Sequence, residues 1–239
     1  MKTVFHPASE RGHANHGWLN SFHSFSFSDY YDPSKTHFGA LRVLNDDTVA
    51  PGMGFGTHPH NNMEIISIPL EGDLEHRDSM GTVSVIKHGD IQVMSAGSGI
   101  SHSEYNKNRD KPVKFLQIWV FPREKNVEPR YDQITLNLAD RQNRFQQVLS
   151  PNADGAGVWI HQDAWFSLGK FDTETVHGYK LHKEGNGLYA FVLSGEATIG
   201  EQPLKERDAV GVWETNTVSI VAKPGSEILL MEVPMNLPG

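Results

Sequence analysis

The stretch "EIISIPLEGDLEHRDSMGTVSVIKHGDIQVMSAGSGISH", Glu64 to His102, decides the fold. Its apolar residues come in short runs, Glu64–Gly72, Thr82–Asp90 and Ile91–Gly97, rich in Val and Ile, and the clusters "EGD", "DSMG" and "HGD" punctuate them. Short β-branched runs bounded by turn residues are strands. Outward from this stretch, "GALRVLN" (Gly39–Asn45) and "KFLQIWVFP" (Lys114–Pro122) read the same way. A strand every ten or so residues predicts an all-β sandwich or barrel. The best helical candidate is "LNLADRQNRFQQVLS" (Leu136–Ser150), which mixes a helical pattern with a loop.

Past that segment the pattern starts again, with "GVWIHQDAWFSLGKF", "GLYAFVLSGEATIG", "DAVGVWE", "TVSIVA" and "EILLMEVP". Laid beside the opening stretch, the segment from Leu188 places Gly195 against Gly72 and Asp208 against Asp90. A β-fold used twice is the simplest reading, although any two antiparallel meanders share some of this layout.

The chain has 239 residues, enough for one large or two small domains and a sizeable core. With 21 Lys and Arg against 29 Asp and Glu, the formal net charge is -8. Without a basic run there is no electrostatic footprint for direct nucleic-acid contact, and anionic membranes are disfavoured. There are no cysteines, so disulfides, thiolate metal sites and a cysteine nucleophile are excluded. The start, "MKTVFHPASERGHANHG", lacks an apolar signal-like core, so a cytoplasmic location is expected.

Chemistry concentrates in two clusters. In "GFGTHPHNNMEI" (Gly54–Ile65), His58 and His60 are two apart, and Glu64 shares their parity if the run is extended. In "GISHSEYN", His102 and Glu104 are two apart. Residues at i and i+2 of a strand share a face, so two such strands could set three imidazoles and a carboxylate around one ion. That set leaves two positions open on an octahedral ion. It suits Fe(II), Mn(II), Ni(II) or Cu(II) more than a closed zinc site. Parity alone cannot choose between Glu64 and Glu104.

The spacings G-x5-HxH-x3-E (Gly52 to Glu64) and G-x12-H-x3-N (Gly89 to Asn106) resemble the paired motifs of the cupin superfamily. Within it, "RGHANHGWLNSFHSFSFSDYYDP", "GFGTHPHNNMEI" and "MSAGSGISHSEYN" resemble the pirin family, whose members are bicupins. The resemblance is dense in the amino-terminal half and rests on strand layout in the rest. It implies two cupin β-barrels in tandem, residues 1–134 holding the metal and residues 135–239 metal-free. "SAGSGISH" departs from the usual cupin PxGxxH, with Ser95 for the proline and two extra residues before His102. Common cupins take the carboxylate from the first motif, here Glu64, and pirins from the second, here Glu104. The resemblance thus implies His58, His60, His102 and Glu104 as ligands, with Glu104, or else Glu64, as the catalytic proton acceptor.

Other features receive blander readings. His13, His16, His23 and His37 fit structural or pocket-edge roles, and "GMGFG" (Gly52–Gly56) fits close backbone approach beside the metal. His161, His177 and His182 stand alone in the second half. "FSFSDYY", Phe115 and Trp119 suit a core, or a barrel mouth for a planar ligand. The resemblance implies a quercetin 2,3-dioxygenase-like enzyme with one divalent metal, Fe(II) first and Mn, Ni, Co, Cu or Zn also compatible. Its substrates would be a flavonol and O2. The alternative in the same family is an iron-binding redox sensor or transcriptional cofactor, which binds a protein partner without turnover. A metal serving only as a structural staple would gain nothing from open coordination positions.

Overall fold

The computed structural model describes residues 1–237. Two copies of one arrangement follow each other. In the first, a seven-stranded sheet runs Arg130–Thr135, Asp90–Ser95, Glu64–Glu71, Val113–Val120, Leu41–Val49, Leu19–His23, Gly12–Asn15. A four-stranded sheet, Gly54–His60, Ile100–Asn106, Asp73–Asp78, Val83–Lys87, faces it and closes a barrel. In the second copy the large sheet runs Lys2–His6, Ala209–Trp213, Asn186–Ser194, Ser226–Pro234, Trp165–Phe171, Phe145–Ser150, Val158–Trp159. Its small sheet is Thr175–Lys180, Thr217–Ala222, Glu196–Ile199, Gln202–Lys205.

The strands correspond in order, and so do the turns expected to match. Gly72 and Gly195 both hold a positive φ, 79° and 73°, where a Cβ is disfavoured. Asp90 and Asp208 each accept a backbone N–H from three residues upstream, Lys87 and Lys205, at 2.9 Å. The chain's own start departs from the division near residue 134. Lys2–His6 crosses over and pairs antiparallel with Ala209–Trp213. It takes in the second copy the edge position that Arg130–Thr135 takes in the first.

Leu136–Ser150 is not a helix. One turn of 3-10 helix, Leu138–Arg141, is capped by the Asn137 side chain. Asn143 then enters the left-handed region at φ 55°, and Phe145–Ser150 continues as a strand against Trp165–Phe171. The alternation of Gln146, Val148 and Ser150 with Phe145, Gln147 and Leu149 is satisfied by pairing that a window on the sequence does not contain. Among the described residues no helix is long and apolar enough to cross a membrane.

Alternation explains how the two copies pack and how their interiors differ. Even residues of Glu64–Glu71, Ile66 and Ile68, join Leu116 and Ile118 against Phe166, Tyr189, Phe191 and Met231 of the second copy. The backs of the two large sheets therefore share one core, each large side chain contributing about 1.5–3 kcal/mol by burial. The interior of the second barrel is mainly apolar, with Leu188, Ala190, Val192, Val210, Ile220 and Leu230, and Glu232 is its buried acid. The first barrel keeps a small apolar plug at one end, around Leu74, Ile86, Val113 and Phe115. Across the rest of its large sheet, register partners form a polar row: Gln133, Gln92, Ser67, Gln117, Asn45, His23.

Candidate metal centre

Two neighbouring strands of the first barrel carry the imidazoles. Gly54–His60 pairs antiparallel with Ile100–Asn106, His58 opposite His102, with a bulge between His102 and Glu104. The bulge sets one residue, Ser103, against two, Gly56 and Thr57, increasing the local twist. The pairing is tight because of a glycine: a Cβ on Gly54 would lie 2.2 Å from the Glu104 carbonyl oxygen and 2.5 Å from Tyr105 Cα. The glycine-rich run thus provides the close backbone approach expected of it.

The rings of His58, His60 and His102 form a near-equilateral triangle, with centroids 4.8, 4.6 and 4.9 Å apart. One nitrogen of each lies within 4.8 Å of the others. His58 Nδ1–H donates to the Gly56 carbonyl at 2.8 Å, which turns the Nε2 lone pair inward. There it meets His102 Nε2 at 3.1 Å. Two inward lone pairs at that distance repel unless a proton or a cation lies between them. Burial, then repulsion from His58, lowers the His60 pKa to about 4. Burial and its histidine neighbours lower that of His102 to about 2. Both rings are neutral donors at pH 7, and His60 Nε2 is buried with no hydrogen-bond partner. An orphaned nitrogen and ring nitrogens converging at near-contact distance fit a divalent ion of the imidazole-preferring kind.

Glu104 is brought beside His102, forming a second potential ligand group with His102 and His76. Its Oε1 accepts from Ser67 Oγ at 3.0 Å and its Oε2 from Gln117 Nε2 at 2.5 Å. Burial outweighs these bonds and pushes its pKa up to about 7. The sequence reading missed His76 and Asp78. His76 Nε2–H donates to Asp78 Oδ2 at 3.0 Å, leaving Nδ1 to face His102 Nδ1 at 3.5 Å. Asp78 thus sets the His76 tautomer, and His76 abuts the outer nitrogen of His102. The signal was present, because His76 and Asp78 have the same i, i+2 spacing as the pairs that were read.

His58, His60 and Glu104 line one end of a cavity of about 560 Å³, within the size range of small-molecule sites. Trp119, Phe27, Phe55 and Leu19 supply flat apolar wall, and Trp119 stands edge-on to His60 at 4.9 Å. His13, His16 and His23 also line it. Phe115 belongs to the apolar plug.

Glu64 is not with the histidines. The parity count fails across residues 61–63, where Asn62 takes φ 48° and the chain passes from the small sheet to the large one. As an even residue of its strand, Glu64 shares the face of Ile66 and points to the junction of the two copies. Its Oε2 accepts from Ser95 Oγ at 2.7 Å, Oε1 has no partner, and Arg130 and Arg123 are its charged neighbours. Burial raises its pKa from 4.5 to about 7. A raised carboxyl pKa means that the folded state holds the proton more tightly. The stability this gives is complete below pH 4.5 and is lost as the pH climbs to about 7. Glu64→Gln, neutral throughout, is therefore expected to gain on the parent protein across that window, by about 3 kcal/mol at pH 8. Asp47 and Glu104, shifted the same way, keep a residual slope. Urea midpoints of the metal-free proteins at pH 5 and pH 8 test this, and identical pH dependence in both would refute the placement of Glu64.

In the second barrel, His182 stacks on Trp165 at 4.8 Å and its Nδ1 lies 2.8 Å from Glu232 Oε2. Glu232 also receives Tyr179 Oη, Asn186 Nδ2 and the backbone N–H groups of His182 and Lys183. His177 packs on Phe145, and His161 on Trp159.

Comparison with known proteins gives a consistent picture. The family model described as Pirin matches residues 4–120, and the Quercetinase C-terminal cupin domain matches residues 147–233. A curated relative from Escherichia coli named quercetin 2,3-dioxygenase is 42% identical over 231 residues, covering 95% of this chain and 96% of the relative. A pirin-like protein of Caulobacter vibrioides is 36% identical over 227 residues, covering 95% and 97%. The crystal structure of the bacterial pirin YhhW from Escherichia coli, in complex with nickel(II), superposes with a TM-score of 0.92 at 39% identity, covering 98% of this chain and 99% of that one.

Proposed function

The chain belongs to the pirin family, and from that premise we propose that it is a metal-dependent dioxygenase that cleaves flavonols such as quercetin with O2. The observation that carries this reading is the convergence of the imidazole nitrogens of His58, His60 and His102 beside a cavity of ligand size. His58, His60, His102 and Glu104 would hold one divalent ion, Fe(II) by preference. Once bound, the ion would act as a Lewis acid toward the flavonol 3-hydroxyl and leave positions open for oxygen chemistry.

The chain's own groups do the rest. The faces of Trp119, Phe27 and Phe55 hold a flat ring system and keep bulk water from it. Glu104, with its pKa near 7, takes the hydroxyl proton at Oε1. Ser67 accommodates that proton. It gives up its hydrogen bond to Oε1, accepts from the new carboxylic O–H, and turns its own hydrogen to Gln117 Oε1, 3.3 Å away. The two oxygens of Glu104 thereby stay hydrogen-bonded in both protonation states.

The test is oxygen uptake by Fe(II)-loaded protein on addition of quercetin, with carbon monoxide followed in the same vessel. One O2 consumed and one CO released per quercetin supports ring cleavage. One bound metal per chain with no uptake overturns the enzyme in favour of a sensor acting through a protein partner.

A further inference from the structure

The wall of the cavity that faces the histidines across the barrel is polar, buried and incompletely hydrogen-bonded. Asn45 and Gln117 are register partners, and so are Asn45 and His23. Gln117 spends its amide on Glu104 and Ser67. Asn45 and His23 do not: Asn45 Oδ1 and His23 Nδ1 are buried without a partner, at residues 2% and 3% exposed. Both residues line the cavity. A buried polar atom left unpaired costs about 1–3 kcal/mol, so two side by side mark a place where a ligand restores what folding removed.

The other end of the His23 side chain is held. Ser21 Oγ donates to Asp47 Oδ1 and receives His23 Nε2–H at 2.8 Å. All three residues are buried. With Nε2 carrying the hydrogen, Nδ1 presents a lone pair, and burial keeps the ring neutral by lowering its pKa to about 4. With Asp47 ionised, the Asp47–Ser21–His23 chain fixes the tautomer that accepts a hydrogen bond at the cavity. Directly opposed side chains on paired strands have Cβ atoms about 4.5–5.5 Å apart. Two acceptors at that spacing match two donors on adjacent atoms better than one. Gln92, in the same row and also unpartnered, does not line the cavity.

We propose that His23, seated by Ser21 and Asp47, forms with its strand neighbour Asn45 a subsite for a vicinal pair of phenolic hydroxyls, on a ring other than the one presented to the histidine cluster. The subsite rests on the reading that the cavity receives a flavonol and narrows the preferred substrates to those bearing an ortho-dihydroxy ring.

Three flavonols separate the two readings: quercetin, with two adjacent hydroxyls on its pendant ring, kaempferol with one, and galangin with none. Binding is measured on metal-loaded protein without O2, so that turnover is not required. The parent protein is expected to bind them in that order, each lost hydroxyl costing about tenfold. Asn45→Leu and His23→Phe should bring quercetin down to the level of galangin while galangin binds as before. Ser21→Ala, which removes the seat of His23 and leaves Asp47 and His23 Nε2 unpaired, should lower the melting temperature and give an intermediate ranking, with galangin bound as by the parent protein. Equal weakening of all three ligands would indicate mere structural damage and overturn the subsite. A flat ranking in the parent protein, or one that survives both substitutions, would also overturn it while leaving the flavonol reading in place. No saturable binding of any of the three would remove that reading and the subsite together.

Discussion

His102→Ala is expected to yield a folded protein that loses its metal on dialysis, with affinity lowered by more than about a hundredfold. That figure is a floor, because altering a neighbour of a ligand already costs 10–100-fold. His102 is where the arrangement converges. It belongs to both potential ligand groups, its Nε2 faces His58 at 3.1 Å, and its ring lies against His60 and His76. The fold should tolerate the change, since the lost imidazole is desolvated and its loss relieves repulsion among neighbouring histidines. Metal content after dialysis, with melting curves recorded with and without added Ni(II), provides the check. The parent protein should be stabilised by the metal and the variant indifferent to it. A variant retaining one equivalent would remove His102 from the ligand set.

Glu104→Gln should lower turnover of quercetin by about 10²–10⁴-fold in metal-saturated protein, the usual contribution of a positioned proton acceptor. Glutamine keeps the volume and one acceptor oxygen. It places an amide hydrogen against either Ser67 or Gln117 Nε2, and it cannot hold the substrate's proton. Assaying with the metal saturated separates this effect from weakened metal affinity. Turnover within about tenfold of the parent would move the proton acceptor elsewhere. In that case Glu64 would be a poor replacement, being on the opposite face of its sheet.

Much of this could be read from the chain because strands write their faces into alternate residues. The His58–His60 and His102–Glu104 pairs are local, so spacing alone put each on one face. Glu64 was misread for the same reason. Counting by twos holds only while the backbone stays extended, and Asn62 at φ 48° ends the count. The cross-sheet row from Gln133 to His23 was invisible because its members come from six strands and adjoin only through register. The Lys2–His6 pairing lay beyond any local pattern, and Leu136–Ser150 took its strand from a partner about twenty residues on. The second barrel's apolar filling was legible in outline, since "LYAFVLSG" and "AVGVWE" lack the polar residues that line the first.

The placement of Lys2–His6 also sets an order of events during synthesis. The first barrel has every strand it needs once Arg130–Thr135 has left the ribosome. The strand that emerged before all of these still has nothing to pair with, because Thr3 awaits Val212 and Val4 awaits Gly211. At about 5–20 residues per second, that wait is on the order of 10–40 s. Throughout it the nascent chain trails an open β-edge. Ala209–Trp213 must be translated before Lys2–His6 can be fastened, and a chain that stops short of it leaves that edge free for another molecule.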